Sequence, residues 1–289
     1  MSQSDTAKPA EALKGEDWAG DMGVKWLSHL DRFEGMIAPI GAALLARAGF
    51  APGERVIDLG CGGGATTRAI AASVAPGGEV VGLDISPDLI REAAARAAAA
   101  GLANARFVCG DAAVTPLEGA PFDRLFSRFG SMFFAEPVTA FAHLRSLLKP
   151  GARIDLAVWA HPRDNLWMME MMGVVRQHID VPPAVPRAPG PFAFEDRDYL
   201  GDVLAEAGFS AMEVDAYSGH QAVGGPGASP EDATAFMLGA MAVGRLLAEQ
   251  DAAVQAAARA DLLALFRQRH VTGEGVMMGC KAWLVSARA

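Results

Sequence analysis

Residues Val56–Thr67 read VIDLGCGGGATT, a short apolar run that passes directly into a glycine-rich turn. A strand, a glycine turn and a helix in this order are typical of nucleotide-binding sheets. Gly60, Gly62 and Ala65 satisfy G-x-G-x-x-(G/A), the pattern of dinucleotide-binding proteins. The stretch equally satisfies D-x-G-x-G-x-G, the pattern of a different cofactor, through its acid and its glycines: Asp58, Gly60, Gly62 and Gly64. The surrounding residues must decide between the two.

The composition of the 289-residue chain is that of an ordinary globular protein, with 51% hydrophobic and 20% charged residues. The net charge of −9 argues against a nucleic-acid partner, because phosphate backbones are bound by basic surfaces. No uncharged apolar run approaches the ~18–20 residues that cross a bilayer, and residues 1–18 lack the apolar core of a secretory signal. We therefore expect a cytoplasmic protein without a membrane partner, for which an oligomer is possible but not indicated.

The three cysteines, Cys61, Cys109 and Cys280, lie far apart in the sequence. They form no C-x-x-C pair, and no H-x-x-x-H cluster is present, so no metal site is predicted. Reduced, packed thiols are the expectation.

Strand and helix patterns alternate after the glycine turn, which predicts an α/β, doubly wound sheet. Seven strands are expected, at 55–59, 79–83, 105–108, 124–127, 153–159, 211–217 and 276–286. Ser86 is the expected N-cap of the helix after the second strand. Helices are also expected within 17–50, at 66–74, before Lys149-Pro150-Gly151, at 163–179, at 196–207 and from Ser229 to about residue 269, with a proline-rich loop at 181–192.

Acidic residues at the ends of the first three strands decide between the cofactors. Asp58 would repel a pyrophosphate but suits a ligand that carries an ammonium and a sulfonium. Asp84 lies twenty residues after Gly64, where a carboxylate binds ribose hydroxyls in either case. Asp111, just past the third strand, can contact an adenine edge. The three acids favour a compact, cationic adenosine ligand, S-adenosylmethionine.

With these residues in this order, the chain resembles the class I SAM-dependent methyltransferases. It is close to the type 11 group, which includes the ubiquinone/menaquinone-biosynthesis enzymes. The resemblance covers about residues 53–160. It is carried, in family order and spacing, by VIDLGCGGGATT, VVGLDIS, VCGDAA, FDRLFSRFGSMFF and LKPGARIDLAVW. It implies a seven-stranded Rossmann-like methyltransferase sheet with helical lid insertions, and methyl transfer to a small, largely apolar acceptor.

The resemblance also implies which residues contact the cofactor. Gly60, Gly62 and Gly64 would line its methionine part, and Thr67 would be a contact in the following helix. Asp84 would hold the ribose and Ile85 would lie on the adenine. Asp111 and Ala112 would contact the adenine amino group and ring, and Ser127 would contribute a backbone or hydroxyl contact near the methyl donor.

The expected organisation follows the same family. It comprises an N-terminal helical segment (1–52), a cofactor-binding core (53–161, continued by 198–222 and 274–289), and two insertions around the acceptor (162–197 and 223–273). Four methionines within residues 168–172 fit either a deformable pocket wall or simple packing of that helix.

Catalysis is expected to depend mainly on positioning of the acceptor, with at most one histidine assisting. His161, directly after the fifth strand, and His29, in the N-terminal helices, are the two candidate bases. Arg128 fits either an acidic group of the acceptor or a surface ion pair. Two other functions stay open: a SAM-binding regulatory or partner subunit that does not methylate, and a nucleotide-dependent oxidoreductase.

Overall fold

The computed structural model describes residues 17–289. Most of the segment predicted to lack a secretory signal, and the start of the predicted N-terminal segment 1–52, lie outside the described residues. Within residues 17–289, no helix combines the length and the apolar character that a bilayer crossing requires.

A central eight-stranded sheet organises the part of the chain that the structure describes, in the order β3-β2-β1-β4-β5-β8-β6, with β7 paired to β8. The strands are β1 (Arg55–Leu59), β2 (Glu79–Asp84), β3 (Ala105–Cys109), β4 (Phe122–Arg128), β5 (Leu148–Trp159), β6 (Ser210–Val223), β7 (His270–Val271) and β8 (Gly275–Arg288). β1 to β5 run parallel, and β8 lies antiparallel between β5 and β6. The seven long strands confirm the predicted α/β doubly wound class. The two residues of β7 are too few to carry a periodic pattern, and that strand was not predicted.

Helices cover both faces of the sheet. They are α1 (Asp21–Ser28), α2 (Leu30–Ala48), α3 (Ala65–Val74), α4 (Pro87–Ala99), α5 (Pro137–Ser146), α6 (Leu166–Val175), α7 (Arg197–Glu206), α8 (Pro230–Ala240), α9 (Ala242–Ala248) and α10 (Ala252–Arg269). α2, α3 and α4 form one layer against the sheet, and α5 and α7, which contact each other, form the second.

Most predicted helices are confirmed, but several boundaries are corrected. The helix expected at 163–179 covers only Leu166–Val175. Ser86 caps α4 as expected, because its Oγ accepts from the amide of Leu89. The long helix expected after Ser229 is three helices. The chain is extended at Met241, with ψ of 163°, and Asp251 caps a new helix by accepting from two backbone amides. Residues 149–151, expected to separate a helix from the fifth strand, instead lie within β5.

The first strand of the chain lies in the middle of the sheet. β1 pairs with β2 on one side, through Asp58 and Gly82, and with β4 on the other, through Asp58 and Phe126. The direction of winding reverses between β1 and β4, so a crevice opens at their carboxyl ends. The glycine turn enters this crevice, which is where ligands bind in sheets of this kind.

β6 and β8 continue past the end of β5 and carry a group of helices. Pairing of β5 with β8 ends at Trp159 and Ala282, whereas β6 and β8 stay paired up to Val223 and Val276. We call α6, α8, α9 and α10 the roof helices. Of these, α6, α8 and α10 contact β8, and α9 packs among them. The insertion at 223–273 is therefore largely helical, whereas 162–197 contains α6 followed by a long irregular stretch. The role of both insertions as a lid stays a prediction.

A buried cluster of charges joins the C-terminal end of α2 to β4 and β5. Asp155, which is fully buried, lies 2.8 Å from Nη2 of Arg124, 2.7 Å from Nη2 of Arg153 and 3.7 Å from Nη1 of Arg47. Arg47 also contacts β6, because its Nε donates a hydrogen bond to the carboxylate of Asp215 at 2.7 Å. Three guanidinium groups that are largely withdrawn from water thus share one buried carboxylate, although Glu54 also pairs with Arg124 at 3.1 Å.

Replacement of this carboxylate should destabilise the protein strongly. Asp155→Asn keeps the size of the side chain but leaves buried positive charge without its counter-charge. We expect the free energy of unfolding, measured by urea titration, to fall by about 3–5 kcal/mol. Asp164→Asn is the matched control: it removes a partly exposed ion pair with Lys281 and should cost less than about 1 kcal/mol. Equal, small losses in both variants would contradict a structural role for Asp155.

Candidate active site

The glycine turn (residues 60–64) joins β1 to α3 at the centre of the crevice. Gly60, Gly62 and Gly64 have φ angles of +65°, +53° and +79°, which other residues adopt only with strain. A Cβ atom on Gly60 would lie 2.6 Å from the Cα of Gly130, just after β4. Two backbones touch here, so glycine is required at both positions. The contact brings the ends of β1 and β4 together.

Asp58 is held beneath the turn by the start of α3. Its Oδ2 accepts hydrogen bonds from the hydroxyls of Thr66, at 2.8 Å, and Thr67, at 2.6 Å. Burial raises the pKa of this carboxyl to about 6, against the lowering effect of the two hydroxyls. The Thr67 hydroxyl, expected at a cofactor contact, is committed to Asp58 in the structure. It positions the acid instead.

Asp84 closes the turn from β2. Its Oδ2 accepts from the amide of Gly62 at 2.8 Å, and its Oδ1 accepts from the amide of Ser86 at 2.9 Å. Burial raises the pKa of the Asp84 carboxyl. Each oxygen keeps a lone pair for a further donor, such as a ribose hydroxyl. The next side chain, Ile85, is 41% exposed, which leaves an apolar surface beside this acid.

The turn after β3 provides the third predicted acid. Asp111 is exposed, and its Oδ1 accepts from the amide of Ala113 at 2.9 Å. Ala112, between them, is buried. β3 lies beside β2 in the sheet, with Cys109 level with Asp84, so Asp111 follows at the same edge. The structure therefore brings the three strand-end acids to one edge, as expected.

The end of β4 differs from the expectation for Ser127. Its hydroxyl is buried and donates a hydrogen bond to the carbonyl of Leu59 at 3.0 Å. This hydrogen bond connects β4 to β1, and the hydroxyl is not directed at a ligand. Two residues later, Phe129 has φ of +65°, which is strained for a residue with a bulky side chain. Its ring stacks on Trp159 with centroids 4.2 Å apart. Strain of this kind concentrates at functional sites.

Aromatic side chains from three parts of the chain pack beside the glycine turn, and the sequence alone did not group them. Ring centroids are 5.0 Å apart for Trp18 and Phe133, 4.0 Å for the stacked Trp26 and Phe33, and 4.8 Å for Phe33 and Phe236. The indole nitrogen of Trp26 lies 3.7 Å from where a Cβ on Gly62 would be. We call Trp18, Trp26, Phe33, Phe133 and Phe236 the aromatic cluster. Spacings of eight and seven residues between the first three, about two helical turns, were the available signal.

The two candidate histidines have different surroundings. The His29 ring packs edge-on against Phe236 with centroids 5.5 Å apart, so it borders the aromatic cluster. His161 accepts from the amide of Arg163 at 3.1 Å and lines a shallow cavity of about 380 Å³ with Trp283 and residues 195–198. Across the described part of the chain, no hydrogen bond links His161 to the glycine turn. The role of either histidine as the base therefore stays a prediction.

Four buried polar atoms near the glycine turn lack a hydrogen-bond partner within residues 17–289: Trp18 Nε1, Glu34 Oε1, Asp58 Oδ1 and Ser131 Oγ. Atoms of the Asp155 cluster share this property, so it is not confined to the turn. Glu34 Oε1 lies 3.0 Å from where a Cβ on Gly63 would be, and Ser131 directly follows Gly130. Because these four atoms lie beside an open crevice, they are available to a polar ligand. Over the same residues, no group of three or more His, Cys, Asp or Glu side chains is arranged to hold a metal ion.

Comparison with known proteins identifies the centre of this site. Residues 56–151 match the family model described as a methyltransferase domain. These residues form a class I methyltransferase domain. S-adenosylmethionine is the cofactor of this family, which confirms the predicted cofactor and decides the glycine turn against a dinucleotide.

Relatives with known names cover only part of this chain. Nocamycin O-methyltransferase from Saccharothrix syringae is 35% identical over 118 residues, which are 41% of this chain and 42% of that protein. Demethylmenaquinone methyltransferase from Lactococcus lactis is 31% identical over 121 residues, 42% of this chain and 48% of that protein. The chain thus spans less than half the length of either relative.

A solved structure extends the likeness in fold beyond the matched residues. Phosphoethanolamine N-methyltransferase 2 from Haemonchus contortus, solved in complex with S-adenosyl-L-methionine, superimposes with a TM-score of 0.55. The superposition covers 95% of this chain and 60% of that one, at 16% identity. The methyltransferase domain therefore shares its fold, and the fold alone, with that enzyme.

The residues of the methyltransferase domain fit S-adenosylmethionine on their own geometry. The glycines leave a cradle that a Cβ would fill, and one buried oxygen of Asp58 accepts no hydrogen bond from the described part of the chain. That oxygen suits an ammonium group, and the free lone pairs of Asp84 suit ribose hydroxyls.

Asp58 should make cofactor affinity depend on pH. An ammonium group pairs with the ionised carboxylate only, and the pKa of Asp58 is raised to about 6. We expect the affinity for S-adenosylhomocysteine, measured by calorimetry, to fall as the pH is lowered from 7 through 6, by up to about tenfold per pH unit below the pKa.

Two controls separate this effect from a general one. 5′-Methylthioadenosine lacks the amino-acid part and should not show the step. Asp58→Asn should flatten the profile of S-adenosylhomocysteine. Parallel profiles for both ligands would show that Asp58 does not face the ammonium group.

Proposed function

We propose that this chain transfers a methyl group from S-adenosylmethionine to a small, largely apolar molecule. The observation that carries the proposal is the juxtaposition of the glycine turn, with its two acids Asp58 and Asp84, and the aromatic cluster. A charged cofactor and an apolar acceptor need these two environments side by side.

The cofactor contacts follow from the positions of the side chains. Gly60, Gly62 and Gly64 cradle the methionine part, and Asp84 accepts from the ribose hydroxyls. The exposed side chain of Ile85 covers one face of the adenine, while Asp111 and the adjoining amide of Ala112 recognise its edge. Ser127 and Thr67 serve indirectly, by holding β4 and Asp58 in place. Residues 53–161, 198–222 and 274–289 form the core, and 162–197 and 223–273 cover the acceptor.

The proposed acceptor class rests on the aromatic cluster beside the glycine turn, of which Trp18, Trp26 and Phe133 are partly exposed while Phe33 and Phe236 are buried. The aromatic cluster combines α1, α2 and the turn after β4 with Phe236 of roof helix α8. The names of nocamycin O-methyltransferase and demethylmenaquinone methyltransferase agree with acceptors that are small molecules. The methionines of α6 contribute less than their number suggests, because Met171 is buried in the core. The net charge of −9 disfavours a nucleic-acid acceptor.

Catalysis in this proposal depends mainly on positioning. The bound cofactor supplies an electrophilic methyl group on its sulfonium, and an in-line approach of the acceptor is then required. Holding the two reactants in that geometry can lower the barrier by several kcal/mol. His29, at the junction of α1 and α2, is the histidine that borders the aromatic cluster, and we propose it as the proton acceptor. A phenol, with a pKa of about 10, needs only this much assistance.

The function is tested by incubating the protein with methyl-labelled S-adenosylmethionine and an extract of the source cells. We expect the label to enter a small-molecule fraction. Asp84→Ala should lower the affinity for S-adenosylhomocysteine at least about tenfold, because charge-assisted hydrogen bonds to the ribose are lost. Labelling should fall with it, and NAD should not bind.

Other outcomes point to other functions. Label in protein or RNA would overturn the acceptor class. Tight binding without any labelled product would favour a SAM-binding subunit that does not methylate.

Substitution of the two candidate histidines should affect kcat for methylation of the labelled acceptor to different extents. His29→Ala should lower kcat by about 10²-fold or more, as is usual when a general base is removed, with cofactor affinity unchanged. His161→Ala is the matched control and should stay within about twofold of wild type, since its ring interacts with Arg163. Near-full turnover in both variants would leave positioning as the whole mechanism.

A further inference from the structure

Arg128, at the end of β4, has no carboxylate within ion-pair distance among the residues that the structure describes. It ends β4 two residues after Phe126, which is level with Asp58 of β1. Alternate residues of a strand share a face, so Arg128 lies on the same face as Asp58 and one pleat nearer the carboxyl edge. That position is level with Gly60, at the start of the glycine turn.

The side chain runs under α2, where the sequence makes room for it. A Cβ on Gly41 would lie 2.9 Å from Cδ and 3.0 Å from Nη1 of Arg128. A larger residue at position 41 would therefore displace the guanidinium. Within residues 17–289, Arg128 makes no hydrogen bond and no ion pair, in contrast to the buried arginines around Asp155.

Arg128 is also not the surface ion pair that was one of its two expected roles. Burial lowers the pKa of its guanidinium, with Glu34 and Asp58 as the nearby opposite charges. The Oε2 atom of Glu34 accepts a hydrogen bond from Nη1 of Arg96 at 3.4 Å and none from Arg128. A largely covered cation without a partner is costly unless a ligand completes it.

We propose that Arg128 binds the α-carboxylate of the cofactor's methionine part. This inference depends on the proposed function, because it assigns one more contact at the same site. Asp58, with one unpartnered oxygen, and Arg128, without a partner, flank the glycine turn on one face of the sheet. A negative and a positive group side by side match the ammonium and carboxylate of an amino acid. An acidic acceptor would have no use for the adjoining Asp58.

The test varies both the residue and the ligand. S-adenosylhomocysteine is compared by calorimetry with its decarboxylated analogue, which keeps the adenosine and the ammonium. Wild type should bind the analogue about ten- to a hundredfold more weakly. Arg128→Gln should lose about the same factor for S-adenosylhomocysteine and should bind the two ligands equally well. Arg91→Gln, on the exposed side of α4, is the control and should retain the wild-type preference.

Each other result overturns the assignment. An equal loss for both ligands in Arg128→Gln would mean a structural role, and unchanged S-adenosylhomocysteine affinity with lost turnover would mean a role toward the acceptor. Should Arg128→Gln not fold, Arg128→Lys, which keeps the charge, must still prefer the carboxylated ligand. Wild type without that preference would refute the contact directly. Failure of wild type to bind either ligand would instead refute the cofactor site itself.

Discussion

The contact between Gly60 and Gly130 is the constraint on which this site depends. It lets the turn after β1 and the segment after β4 meet backbone to backbone, at a distance that no side chain would permit. Ser127 secures the same junction by bonding to Leu59. As a result, residues seventy positions apart in the chain surround one crevice, and Arg128 stands level with the glycine turn.

Two sets of buried charges differ in their ion pairing. At one end of α2, Asp155 lies within ion-pair distance of three arginines from α2, β4 and β5, which suits a structural role, although several of these side chains keep an atom without a hydrogen bond. Toward the other end, and within the described residues, Arg128 has no ion pair, and Asp58 and Glu34 each keep one oxygen without a hydrogen bond. A fold tolerates incomplete pairing of this kind where a ligand completes it. The missing ion pair of Arg128, beside the glycine turn, supports placing the cofactor at the second set.

The proposed cofactor site and acceptor site are formed by different elements around the sheet. The extension of β6 and β8 past β5 carries the roof helices, and Phe236 of α8 reaches the rings of Phe33 and His29. The acceptor environment proposed above therefore combines the N-terminal helices and α8, which lie outside the stretch that matches the methyltransferase family, with Phe133, which lies inside it.

The sequence by itself determined where the cofactor-binding residues lie along the chain. The glycine turn, Asp58, Asp84 and Asp111 are local signals, because each is set by the end of a strand and the few residues after it. It also located nearly every strand, since alternation and turn residues are local as well. Only the tertiary structure decided which partners the side chains choose. It assigned the hydroxyls of Thr67 and Ser127 to protein acceptors, placed His29 against Phe236, and left Arg128 without an ion pair among the described residues. These choices depend on contacts between residues distant in sequence, such as Gly41 with Arg128 and His29 with Phe236, and no local pattern records them.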